Sequence, residues 1–186
     1  MNTPFRTPWD KPSPPGYGAA IEAATNIAAP LLAGFSITTI GVVSADSDKF
    51  RWPSIALLLL TLAAILLVAS LQLGFHARMH LYSKADLAAW WGEETDLEQL
   101  KEEQVADMES WRRIKGLARV AYNAGIVFLA VGISAALVPR SEEDSVNAAL
   151  RWAACGLGLT AAALEFANGV VNPIASRVFR KSGSGN

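Results

Sequence analysis

Residues 52–75 read WPSIALLLLTLAAILLVASLQLGF. No charged side chain interrupts them. Ile55, Leu57–Leu60, Leu62, Ile65–Val68, Leu71, Leu73 and Phe75 supply thirteen strongly apolar side chains. A bilayer core of ~30 Å needs about 20 helical residues, so the stretch predicts a transmembrane helix. At about −0.3 to −0.6 kcal/mol per residue, its insertion gains roughly 4–8 kcal/mol.

Three further runs share that length. Ala23–Ala45 carries no charge, Val120–Pro139 is the next, and Trp152–Ser176 is interrupted only by Glu165. These are rich in Ala and Gly and individually weaker. Composition agrees with the count: 52% of the 186 residues are hydrophobic, and mean hydropathy is +0.26. A soluble bundle with buried helices is the alternative, and four such runs in so short a chain argue against it. The expected fold is therefore an all-α integral membrane protein. Four transmembrane helices form two antiparallel hairpins, with a cytoplasmic helical hairpin between helices 2 and 3.

Orientation follows from Lys and Arg near the ends of the spans. Arg6 and Lys11 precede helix 1. Arg78, Lys84, Lys101, Arg112, Arg113, Lys115 and Arg119 lie between helices 2 and 3, and Arg177, Arg180 and Lys181 follow helix 4. These twelve face Lys49, Arg51, Arg140 and Arg151 on the other side. The twelve belong in the cytoplasm, which predicts a multi-pass protein of the cell (plasma) membrane with both termini inside. The outer turns, Ser44–Pro53 and Pro139–Asn147, are short and force antiparallel neighbours. Trp52 and Trp152 stand where an outer aromatic belt would be.

The chain divides accordingly. Residues 1–18 form a Pro-rich disordered tail, with Pro4, Pro8, Pro12, Pro14 and Pro15. Residues 19–75 are the first transmembrane hairpin, 76–118 the cytoplasmic amphipathic helices, 119–176 the second hairpin and 177–186 a basic flexible C-terminus. One alternative concerns helix 1. Val43-Ser44-Ala45 fits the small-residue pattern of a signal-peptidase site, although the preceding apolar run exceeds the usual ~7–15 residues.

In the central segment, Ser83 with Asp86 and Thr95 with Glu98 fit helix N-terminal capping pairs. Leu97, Leu100, Met108 and Trp111 recur along one helix that should continue without a break into helix 3. They are too large to leave wet together. With Trp90 and Trp91 of the shorter helix they make a candidate interaction face, and Trp90 or Trp91 is expected to pack on the stripe. Glu93 to Glu109 holds eight acids and one base, and Arg112, Arg113, Lys115 and Arg119 follow. Basic residues thus lie nearest the anionic inner surface, as membrane electrostatics favours.

The polar residues within the spans are the other candidate site: Glu22 and Asn26 in helix 1, Gln72 in helix 2, Asn123 in helix 3, and Glu165, Asn168 and Asn172 in helix 4. All fall in the cytoplasmic half. Glu165 stands twelve residues before Arg177, about 18 Å of helix rise. An intramembrane carboxylate is costly when charged, so it must be protonated, paired or wet. These groups either hydrogen-bond between helices or line a half-cavity open to the cytoplasm. Ala121, Gly125, Gly132 and Ala136 of helix 3, with Ala154, Gly158 and Ala162 of helix 4, form small-residue stripes expected to pack against each other.

No catalytic constellation emerges. His76 and His80 share one helix face, but no general base lies between them and Arg78 intervenes. They read as interfacial rather than metal-binding. Cys155 stands alone in an apolar run, which excludes an intramolecular disulfide. No metal site, cofactor-binding site or cofactor is expected. A net charge of −1 gives no field for nucleic acid. The expected partners are the lipid bilayer and a second copy or another membrane protein. The favoured activity is non-enzymatic, through contacts or oligomerisation. The alternative is a small transporter, channel or membrane-permeabilising effector using Glu165.

Overall fold

In the computed structural model the backbone is described for residues 23–80, 97–140 and 144–182, and side chains for residues 23–80, 105, 107–140 and 144–167. A π-helical turn, Ala24–Ala28, opens α1, Ala29–Ala45; a 3-10 turn, Ser47–Lys49, follows. Then come α2, Pro53–Met79, α3, Leu97–Leu137, and α4, Ser145–Ser182. Among the described residues there is no strand. Three helical segments are long and apolar enough to cross a membrane: Ala24–Ala45, Pro53–Met79 and Asp107–Leu137. α4 is 38 residues long but lies outside that set.

Pro53 opens α2 where its missing N–H costs nothing. Proline also accounts for the wide turn before α1. Pro30 cannot donate to the preceding turn, and its ring crowds the carbonyl there. The helix answers with a π turn in which the Ala29 N–H reaches Ala24 O. As expected from the sequence, α3 is one helix of 41 residues running through Gly116.

α2 is the central seam. Its buried residues Ala56, Leu60, Ala63, Leu67 and Ser70 alternate steps of four and three, and Ala77 continues the series one heptad on. That spacing is the knobs-into-holes period of helices crossing at about +20°. On α3, Ala118, Gly125 and Gly132 answer at steps of seven. A Cβ at Gly125 would lie 2.8 Å from Leu67 Cγ, and one at Gly132 would lie 3.1 Å from Leu60 Cγ. The two glycines are holes for the two leucines.

This corrects one expectation. The small residues of helix 3 do not all serve helix 4; Gly125 and Gly132 face α2, whose leucines need the room. The α4 half of the stripe does meet α3. Cys155 and Ala162 are buried, and Gly158 abuts the Ser134 hydroxyl.

The helices form an open row. α1 packs on α2, α2 on α3 and α3 on α4, with a slight contact between α1 and α3. No comparable interface joins α4 to α1 or α2 among the described residues. The α1–α2 turn and the α3–α4 turn lie at one end: Arg51 Nη1 donates to Pro139 O at 3.3 Å, and Arg140 donates to Asp48 O.

Candidate functional site

Glu165 owes its position to the helical repeat of α4. Cys155, Gly158, Ala162 and Glu165 follow at steps of three, four and three, so the face that buries Cys155 and Ala162 against α3 also carries the carboxylate. Glu165 is half-buried. Tyr122 of α3 is half-buried too and packs on the cluster of Ala29, Ala33 and Leu67, where α1 and α2 meet. The sequence reading missed Tyr122. Its position three residues before Gly125 on the α2-facing side was the available signal.

The other polar residues singled out from sequence divide. Asn26 and Asn123 are half-buried. Gln72 is exposed, off the seam set by Ser70 and Gly74, and its carbonyl pairs with His76 Nδ1 at 2.9 Å. Thr25 was not singled out from sequence, yet it is 4% exposed. Seam spacing counted back along α1 from Val43 through Ile40, Ser36, Ala33 and Ala29 reaches Asn26 at the next step. The π turn widens that step and brings Thr25 inward instead, where its Cβ would lie 3.1 Å from a Cβ at Gly74. Such turns absorb one extra residue. Glu22 and the side chains of Asn168 and Asn172 lie outside the described residues.

At the same end, His80 Nδ1 and Asp107 Oδ1 are 3.1 Å apart, tying the end of α2 to α3. Asp107 was legible only as one of eight acids. Among the described residues no group of three or more His, Cys, Asp or Glu is placed to hold a metal ion. Of the proposed interaction face, Met108 is 42% exposed. Trp111 is half-buried, with Lys115 Nζ 4.0 Å from its ring centroid. Trp90, Trp91 and the side chains of Leu97 and Leu100 lie outside the described residues, as does the expected packing of that hairpin.

At the opposite end, the last turn of α3 is clamped. Arg151 donates to Leu137 O and Ala136 O at 3.2 and 3.3 Å, and Arg51 to Pro139 O. The final carbonyls of a helix have no partners within it and carry its negative dipole end, so guanidinium groups satisfy both needs. Lys49 pairs with Asp46 at 2.8 Å.

α4 also carries a feature the sequence reading passed over. Leu150, Leu157 and Leu164 stand at steps of seven on its outer side and are 65%, 73% and 62% exposed. No protein family, curated protein or solved structure matches the chain.

Proposed function

We propose that this is a four-span protein of the plasma membrane with both termini in the cytoplasm, and that it acts without catalysis, through helix contacts with a second copy or another membrane protein. The four-span reading is supported by the shared end of the two short turns and by the 38-residue length of α4. The activity rests on the leucine ladder. Leu150, Leu157 and Leu164 repeat with the period that helix pairs use, on a helix whose one substantial interface among the described residues is with α3.

Cysteine placed at Leu157 tests the contact, with buried Cys155 replaced by Ala. Oxidation in native membranes should give a crosslinked dimer or a discrete heteromeric band. Crosslinking no stronger than from Cys at Leu117, which lies on α3, would sink the reading. Topology is tested by labelling single cysteines at Asp46 and Asp144; labelling from opposite sides of the membrane would refute two hairpins.

A second reading is favoured by the half-buried Glu165, on the same side of α4 as buried Cys155 and Ala162. A carboxylate so placed can take up and release a proton or attract a cation from a cytoplasm-facing cleft. In that reading the chain is a small transporter, channel or permeabilising effector. Glu165→Gln should then abolish proton-, ion- or drug-dependent phenotypes; an unchanged phenotype would leave this reading without support.

A further inference from the structure

We infer that the cytoplasmic foot of α3 is a binding site for the headgroup of an anionic phospholipid, built from Arg112, Lys115 and Arg119. The inference rests on reading α3 as a membrane span. Three observations converge on it.

The first is depth. Val120 to Leu137 is eighteen residues, which at 1.5 Å each is about 27 Å, close to the ~30 Å hydrocarbon core. Arg119 therefore stands at the boundary of hydrocarbon and headgroups, and exposed Leu117 and Val120 flank it. Arg112 lies seven residues further out, about 10 Å, which carries the group through a headgroup layer roughly 5–8 Å thick.

The second is alignment. Arg112, Lys115 and Arg119 follow at steps of three and four, so they form one stripe along the helix. Arg112 and Arg119 lie beside the α2-facing seam of Ala118 and Gly125, and Lys115 lies at its edge. Trp111 holds Lys115 against its ring at 4.0 Å.

The third is the state of the guanidinium groups. Arg112 and Arg113 are exposed and Arg119 is half-buried. None of the three forms an ion pair or side-chain hydrogen bond with another described residue. Acids are at hand, yet Asp107 turns to His80, and Glu109 makes no ion pair with Arg112 or Arg113. Planar forked donors without a carboxylate fit the paired oxygens of a phosphodiester. A basic cluster at the cytoplasmic end of a span is where anionic lipid gathers.

The test uses the purified full-length protein in neutral detergent. It is titrated with phosphatidylglycerol or phosphatidylcholine of identical acyl chains. Bound lipid is read by native mass spectrometry and stability by thermal melting. Phosphatidylglycerol should be retained preferentially. The preference should fall about fivefold for each of Arg112→Gln and Arg119→Gln, the loss expected for one surface cation, and should fall by less for Arg112→Lys, which keeps the charge but not the fork. Lys49→Gln, at the far end, should keep the full preference. Arg112 is exposed, so its variant reads binding without a folding defect. Equal retention of both lipids by the wild-type chain would overturn the proposal. So would an undiminished preference in the Arg112→Gln/Arg119→Gln double variant. Equal stabilisation by inorganic phosphate would assign the site to a free anion instead and likewise overturn it. Release of the wild-type chain from membranes by alkaline carbonate would overturn the span reading itself, which separates the two failures.

Discussion

At one end of α3, Arg51 and Arg151 give their guanidinium hydrogens to the carbonyls of Ala136, Leu137 and Pro139. At the other end, Arg112, Arg113 and Arg119 have no protein partner among the described residues. The same side chain serves opposite purposes. In the first place it finishes a helix; in the second it is left for the surroundings. The orientation argument counts all bases alike, twelve against four. Yet the four on the minority side are engaged by the protein: Arg51, Arg140 and Arg151 with carbonyls, Lys49 with Asp46.

The comparison presumes that α3 is a rigid strut between its ends. The largest effect should come from breaking that strut. Gly125→Leu places a branched side chain where even a Cβ lies 2.8 Å from Leu67 Cγ and 3.3 Å from Leu67 N. The backbone atom cannot move aside cheaply, so the cost should be about 3 kcal/mol, at the upper end for overpacking. Unfolding in increasing sodium dodecyl sulfate, followed by circular dichroism, measures it. A Gly125→Leu variant as stable as wild type would mean that α2 and α3 do not share this seam.

Next in size is Arg151→Ala. It removes donors from two carbonyls in a part-buried place. Hydrogen bonds from a charged group contribute about 1.5–3 kcal/mol, and the same unfolding assay should register a loss in that range. Arg112→Ala should change stability in lipid-free detergent by less than about 0.5 kcal/mol, as exposed substitutions do. Equal losses at the two positions would erase the distinction between clamped and free arginines.

Much of this was open to reading in the sequence, and the reasons differ from residue to residue. The span of Leu57–Val68 is a property of composition alone. The unbroken α3 followed from a capping pair at Thr95 and the lack of any breaker except Gly116. What could not be read was which face of each helix meets which neighbour. Gly125 and Gly132 announce a close approach but not the helix that makes it, because a glycine carries no chemistry to distinguish Leu67 from an alanine of α4. Tyr122 was invisible for a related reason: it becomes relevant only when α1 and α2 are brought together against it. Thr25 was displaced inward by the π turn, which no period of 3.6 predicts. Of the polar residues singled out from sequence, Glu165 is half-buried on α4, whereas Gln72 lies exposed.

A smaller effect is expected from the tie between α2 and the start of α3. His80 and Asp107 are each about one-third exposed, so solvent screens their attraction and Asp107→Asn should cost no more than about 0.5–1 kcal/mol. The consequence should be local. Amide exchange over the last turn of α2 should quicken while the outer clamp is unaffected. Accelerated exchange near Pro139 in the same variant would show that the ends of α3 are coupled, contrary to the picture drawn above.

The smallest effect belongs to Lys49, the base near the α1–α2 turn that pairs with a carboxylate rather than a carbonyl. Its ammonium hydrogen-bonds Asp46 at 2.8 Å, and that bond, with the Asp46 charge and a lesser contribution from Asp48, raises its pKa above the ordinary 10.5. A raised lysine pKa means that the folded chain holds the proton more tightly than the unfolded one. The stabilisation is complete below the unfolded value and fades as pH climbs through the folded one. It is therefore constant across the physiological range and disappears only above about pH 10.5. Both side chains are well exposed, 68% and 47%, and an i,i+3 pair so placed is largely screened. Asp46→Asn should accordingly leave melting at neutral pH unchanged while lowering the Lys49 pKa measured by NMR of the ε-carbon. Arg151→Ala under the same conditions should melt earlier at every pH, because an arginine does not titrate in that range. If Asp46→Asn destabilised the chain at neutral pH as much as Arg151→Ala does, the outer turn would owe its hold to the exposed ion pair rather than to the carbonyl clamp.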